Sequence, residues 1–302
     1  MEKKLLVEDH IRKNKRDTIV VCTLMASLFI GVVLAFGYIF FQGNIIISLI
    51  FALPIGLGYI AITYSVSVAA VIKSMNARPA NPNNREEKLL IHRVEEMSIA
   101  AGLPMPKVYV QDSEYINAFA TGRNPNEAIV CTTTGALHKL NQEELEGVIA
   151  HEMSHIKNYD IRIMTVTIAV VGAIALMSEI LFYSLFWGGA GRGRRDNSGV
   201  ILLVIAILLV ILAPLFARLT YFAISRRREY LADSSGAYLT RNPEGLAKAL
   251  ERIRDDSPKG KPKGSKTVAP LYISNPFKKV DASSLSSTHP PLNERIRRLR
   301  SM

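Results

Sequence analysis

His151-Glu152-Met153-Ser154-His155 is the stretch from which the rest of this chain is read. In an α-helix, residues four apart stand on one face about one turn from each other, so two imidazoles at that spacing can grip one metal ion. Glu152 is rotated about 100° from His151, near enough to act on a water held by the ion without ligating it. Zinc suits this set. Two His and a carboxylate leave one coordination position for water, lower its pKa to about 7 and let the ion polarise a carbonyl. Glu152 is then the candidate general base. A coincidental match on an exposed helix is the bland alternative, but six His in 302 residues make that coincidence rare.

Asn141 with Glu144 three residues later forms a capping-box pattern, so a helix is expected to start near Gln142 and to carry the His pair. Upstream, residues 76–84 (Asn76-Ala-Arg-Pro-Ala-Asn-Pro-Asn-Asn84) read as a loop. Arg85 to Ala101 reads as a helix with Leu90, Val94, Met97 and Ala101 on one face, stopped by Gly102 and Pro104. Three short strands are expected next, at Lys107–Gln111, Ile116–Ala120 and Glu127–Thr132, punctuated by Gly122, Asn124 and Pro125. Downstream, Arg226-Arg227-Arg228 opens a helix expected to run through Leu250. Residues 255–270 are rich in Pro, Gly and Lys and are expected to be a mobile loop. Pro291 starts a last helix with Leu292, Ile296 and Leu299 on its apolar face.

Around these polar sections run four apolar stretches, Thr18–Phe41, Ile45–Ile72, Ile163–Trp187 and Val200–Ile224. Each is long enough to cross a bilayer, and the first exceeds the 7–15 apolar residues of a signal peptide, so it is read as an uncleaved span. A hydrophobic fraction of 49% fits a membrane protein. The net charge of +11 raises nucleic acid as a partner, but the basic residues flank apolar spans and form no base-reading motif; anionic lipid headgroups suit them better. Cys22 and Cys131 make neither a disulfide framework nor a thiolate metal site.

The expected organisation is therefore a tail (1–17), a first transmembrane hairpin (18–72), a first polar section (73–162), a second hairpin (163–224) and a second polar section (225–302). No Lys or Arg falls in Gln42–Asn44, whereas the tail and both polar sections are rich in them, which assigns those sections to the cytoplasmic side. Arg192, Arg194 and Arg195, between the third and fourth runs, are the exception; those runs either span or form a shallow hairpin. In both cases the chain returns to the side it left. A third ligand from the second polar section can then reach the His pair. Glu229 is the candidate, with Asp233 one turn later placed to accept a proton from a ligand's far nitrogen. Spacing alone serves equally well a span end in which Glu229 pairs with a neighbouring Arg. Glu179 and Arg218 lie inside apolar runs, near a run end or facing a bundle partner.

Taken together, His151-Glu152-Met-Ser-His155-Ile-Lys-Asn158-Tyr-Asp160, Asn117-Ala-Phe-Ala120, Glu229-Tyr-Leu-Ala-Asp233 and Thr288-His289-Pro290-Pro291 with Arg295 resemble the HtpX family of heat-shock membrane metalloproteases over nearly the whole chain. The resemblance implies a mostly helical α+β membrane protein with about four transmembrane helices and a zincin-like cytoplasmic domain bearing a small three-stranded sheet. It implies an endopeptidase of the bacterial cytoplasmic membrane holding one zinc ion per chain and degrading misfolded or damaged membrane proteins under stress. Carried onto this sequence, Glu229 is the third ligand, Asn117 and Ala118 lie on the edge that receives substrate, and His289 and Arg295 stand near the scissile carbonyl. A plain buried strand and a solvated helix face are the ordinary readings of those last segments. His10, His92 and His138 match no motif.

Three rival readings fit the residues less well. A site-two intramembrane protease would bury the zinc helix in lipid, where Glu143, Glu144, Glu146, Lys157 and Asp160 are too costly. A CAAX-type prenyl-peptide endopeptidase has similar zinc motifs but usually more spans and a longer chain. A non-enzymatic scaffold with a structural zinc would fill all four positions, usually with Cys, and gives Glu152 no purpose.

Overall fold

The computed structural model describes residues 23–24, 26–35, 41, 44–187, 197–256, 271–273 and 289–302. The expected tail, much of the first apolar run, residues 257–270 of the expected loop, and Thr288 lie outside them. The chain divides into two compact units, one of residues 15–66 with 166–224, the other of residues 1–14, 67–165 and 225–302.

The described helices are α1 (Ala26–Ala35), α2 (Ile45–Met75), α3 (Arg85–Ala101), α4 (Thr134–Lys139), α5 (Gln142–Lys157), α6 (Asp160–Trp187), α7 (Asn197–Thr240), α8 (Pro243–Asp255) and α9 (Leu292–Leu299). Within the first unit, Phe29, Val32, Val33, Ala173, Ile174, Met177 and Ala213 form an apolar core. Gly56 packs closely there: a Cβ would sit 2.3 Å from the tip of the Phe29 ring, which would have to move. Ile46, Ile50, Phe51, Ile55, Ile62, Val66, Leu208, Ile211 and Leu215 are exposed, an apolar surface that water does not favour. Among the described residues one helix, Leu49–Met75, is long and apolar enough to cross a membrane; Ala26–Ala35 and Ala169–Ile180 are shorter apolar helices.

In the second unit helices pack against a four-stranded sheet. Its strands β1 (Ala77–Pro79), β2 (Lys107–Gln111), β3 (Ala118–Thr121) and β4 (Ile129–Thr133) stand in the order β1-β2-β4-β3. The β2–β4 pair is parallel; β1 pairs antiparallel with β2, and β3 antiparallel with β4. Three strands were expected, with residues 76–84 as loop; instead Ala77–Pro79 pairs with Tyr109–Gln111. Three residues ending in proline have no alternation to announce a strand, and their partner lies some thirty positions on. Pro79 is tolerated because β1 is an edge strand.

The helix signals translate directly. Asn84 accepts hydrogen bonds from the N–H groups of Glu86 and Glu87 at the start of α3, Gly102 closes it at φ +68°, and Leu90, Val94, Met97 and Ala101 are buried. Both halves of the Asn141–Glu144 capping box are present at the start of α5. The helix expected through Leu250 is in fact two. Arg241 has φ +54°, and Asn242 caps α8 with Pro243 at its first position, because a residue before proline disfavours helical backbone.

Candidate metal centre and active site

Local geometry first places the two imidazoles. His151 and His155, one turn apart on α5, bring their Nε2 atoms to 3.2 Å with the rings edge-on. On α7, Glu229, Asp233 and Gly236 follow at intervals of four and three and so share a face. At Gly236 α7 comes against the backbone of α5, since a Cβ there would lie 3.0 Å from the His151 backbone nitrogen. That approach delivers Glu229 Oε2 to 3.6 Å from His151 Nε2 and Glu229 Oε1 to 3.5 Å from His155 Nε2.

Two Nε2 atoms 3.2 Å apart, each with one Glu229 oxygen at 3.5–3.6 Å, fit a zinc ion. Tetrahedral bonds of about 2.0–2.1 Å place ligand atoms roughly 3.3–3.4 Å from one another. His151, His155 and Glu229 also form the candidate metal-holding group among the described residues. Glu229 Oε2 is buried and accepts no hydrogen bond, although Arg295 Nη1 lies 3.2 Å away. The charges agree with the geometry. Four buried carboxylates (Glu152, Asp160, Glu229, Asp233) face two buried guanidiniums (Arg228, Arg295), leaving two negative charges that a dication would neutralise.

Each imidazole is backed at its far nitrogen. His151 Nδ1 lies 3.0 Å from Asp233 Oδ1, and His155 Nδ1 lies 3.0 Å from Asp160 Oδ2. With Nδ1 protonated toward its carboxylate, each ring turns the Nε2 lone pair to the centre. Arg295 grips Asp233 with Nε and Nη2, at 2.8 and 2.7 Å, and Arg228 pairs with Asp160. Asp160 and Arg228 were not singled out as site residues from the sequence. The helix breaks at Asn158–Tyr159, with Tyr159 at φ +59°, so helical spacing from His155 gives no hint of the contact. Arg228 had the look of a span terminus.

Burial and neighbours set the protonation states. Burial is the largest influence on Glu152 and pushes its carboxyl up, which suits a group that accepts and returns a proton. Burial also opposes the charge on Glu229, but His289, Arg295 and the two imidazoles outweigh it and hold that carboxyl well below its usual value. Asp233 is likewise depressed against the cost of burial, by Arg295 and His151. Burial opposes protonation of His151 and His155, yet Asp233 with Glu229, and Asp160 with Glu229, raise both. His289, 8% exposed and 3.8 Å from Glu229 Oε1, is pushed down to about 4, chiefly by burial.

All nine candidate residues named from the sequence lie in this unit; eight are buried and His155 is partly buried. Arg295 differs most from its ordinary reading as a solvated helix residue: it is fully enclosed. Asn117 and Ala118 stand at and just before β3, the last strand of the sheet. Asn117 Oδ1 accepts from the Ala118 N–H at 3.1 Å.

Residues 84–302 match the model of peptidase family M48. The protein described as "Protease HtpX homolog" from Caldanaerobacter subterraneus subsp. tengcongensis is 46% identical over 286 residues, covering 92% of this chain and 93% of that one. A second of the same description, from Streptococcus uberis, is 43% identical over 303 residues, covering 98% and 100%. Among solved structures, that of Ste24p from S. mikatae is similar at 18% identity with a TM-score of 0.48, covering 95% of this chain and 65% of that chain. With most of its length under one family model and relatives above 40% identity from end to end, this chain belongs to peptidase family M48, as a metalloprotease of the HtpX type.

Proposed function

We propose that this protein is an integral-membrane zinc endopeptidase that cleaves misfolded or damaged membrane proteins at the cytoplasmic face of a bacterial membrane, as part of the response to stress. The observation that carries the proposal is the convergence of His151 Nε2, His155 Nε2 and both Glu229 oxygens within 3.2–3.6 Å, beside the buried carboxyl of Glu152. His151, His155 and Glu229 would hold the ion, one per chain. When bound, zinc supplies Lewis-acid polarisation of the substrate carbonyl and acidifies a water molecule.

Glu152 takes the proton from the attacking water as the oxygen adds to the peptide carbonyl, then gives it to the amine as the C–N bond breaks. No covalent acyl-enzyme forms. His289, neutral because of its burial, offers a ring N–H to the negative oxygen that develops on the former carbonyl. Arg295 is committed to Asp233 and lies against Glu229, so its part is to hold those carboxylates in place rather than to meet the oxyanion. Substrate adds as a further strand on the β3 edge, where Asn117 and Ala118 stand, and lies across the centre.

The membrane arrangement follows the apolar runs: hairpins at 18–72 and 163–224, with residues 1–17, 73–162 and 225–302 on the cytoplasmic side. Helices α6 and α7, of 28 and 44 residues, both exceed the roughly 20 residues that a span needs.

The test is metal removal. Chelation of the detergent-solubilised protein abolishes cleavage of an unfolded polypeptide, and zinc restores it; cleavage that persists in metal-free protein refutes the proposal. A finer check concerns Asp160. Replacing it with Asn removes the negative charge that fixes the His155 tautomer and offers an NH2 donor in its place, so zinc binding, followed by competition with a chromophoric chelator, weakens by roughly 10–100-fold. Unchanged affinity would show that the His155–Asp160 contact does not position the ligand.

A further inference from the structure

A terminal strand normally leaves one row of backbone groups open. Yet all four residues of β3 are buried, between 1% and 6% exposed. The Asn117 carbonyl accepts from Thr133 N on the β4 side, so by alternation Asn117, Phe119 and Thr121 face β4 while Ala118 and Ala120 face outward. Both outward groups of Ala118 are taken by the protein itself. Its N–H donates to Asn117 Oδ1, and its carbonyl accepts from Ile273 N at 2.9 Å.

Ile273 is held at its other end too. Its carbonyl accepts from Arg295 Nη1 at 3.0 Å, and that nitrogen lies 3.2 Å from Glu229 Oε2. One residue therefore bridges the edge strand and the carboxylate cluster, the path required of a substrate backbone. Tyr272 anchors it. The ring meets Phe119 edge-on at 5.6 Å, and the hydroxyl donates to Gln111 Oε1 at 2.8 Å. Tyr272 and Ile273 are 2% and 1% exposed.

We propose that Tyr272–Ile273 is a built-in occupant of the substrate's strand position, which a polypeptide must displace to bind, presenting an aromatic side chain of its own to the slot between Phe119 and Gln111. This rests on the strand-addition reading above. Resting activity is thereby restrained, and extended segments carrying an aromatic residue compete best for the edge.

The experiment measures KM and kcat of the zinc-loaded, full-length protein in detergent on a quenched fluorescent peptide. Ile273→Pro deletes the N–H that holds Ala118 O and lowers KM by roughly 2- to 10-fold, the worth of one hydrogen bond, with kcat unchanged. Tyr272→Phe keeps the ring, loses the bond to Gln111 and shifts KM the same way. Ala120→Pro deletes an outward N–H at a position where an edge strand tolerates proline, and raises KM. Unchanged KM in Ala120→Pro overturns strand addition itself. Raised KM there, with unchanged or raised KM in both Ile273→Pro and Tyr272→Phe, overturns the occupant alone and makes residues 272–273 a fixed wall. Metal content and melting temperature like those of the unaltered protein certify each variant.

Discussion

Exchanging Glu152 for glutamine leaves zinc bound and lowers kcat on an unfolded polypeptide by roughly 10²–10⁴-fold, the usual worth of a positioned general acid–base group. Glutamine has nearly the same shape and still forms hydrogen bonds, so the interior around residue 152 stays packed. It cannot take up a proton. Because Glu152 lies on α5 immediately after His151 but is not among the three converging donors, metal content should match that of the unaltered protein. Metal analysis beside a peptidase assay reads both quantities. Cleavage at the normal rate by Glu152→Gln would reassign the proton-transfer role to another group.

Glu229→Ala gives the opposite pattern, in which metal and activity are lost together. Two imidazoles remain, but both charged oxygens that face them at 3.5–3.6 Å are gone. Affinity then falls by more than the roughly 100-fold that marks the upper end for outer partners of ligands. The fold survives, because Asp233 still grips Arg295 through two hydrogen bonds and keeps that buried cation paired. Retained far-UV circular dichroism with zinc missing is the expected result. Full zinc occupancy in Glu229→Ala would remove Glu229 from the ligand set.

The two variants separate what binds the ion from what moves the proton. That distinction is legible in part in the sequence. The four-residue interval between His151 and His155 fixes their common face, because a helix repeats every 3.6 residues, and the Asn141–Glu144 box says where that helix begins. Asn84, Gly102 and Pro291 mark other boundaries for equally local reasons. Strand β1 was not legible: Ala77–Pro79 has no pattern of its own and is a strand only because β2 offers it partners. The division at Arg241 is written locally in Asn242–Pro243, a signal that the reading of one helix through Leu250 passes over.

The sequence by itself determined the chemistry on offer, a pair of metal-binding imidazoles with an adjacent base, together with the helices that carry them and the apolar stretches between. Those follow from contacts within one or two helical turns. The tertiary structure decided which distant groups complete the centre. Glu229 turns to the histidines and not to its neighbouring arginines because Gly236 lets α7 rest against the α5 backbone. Asp160 reaches His155 because the chain reverses at Tyr159, and Arg295 is sealed inside because two carboxylates await it there. Each of these depends on backbones meeting across many intervening residues, and no local spacing encodes such a meeting.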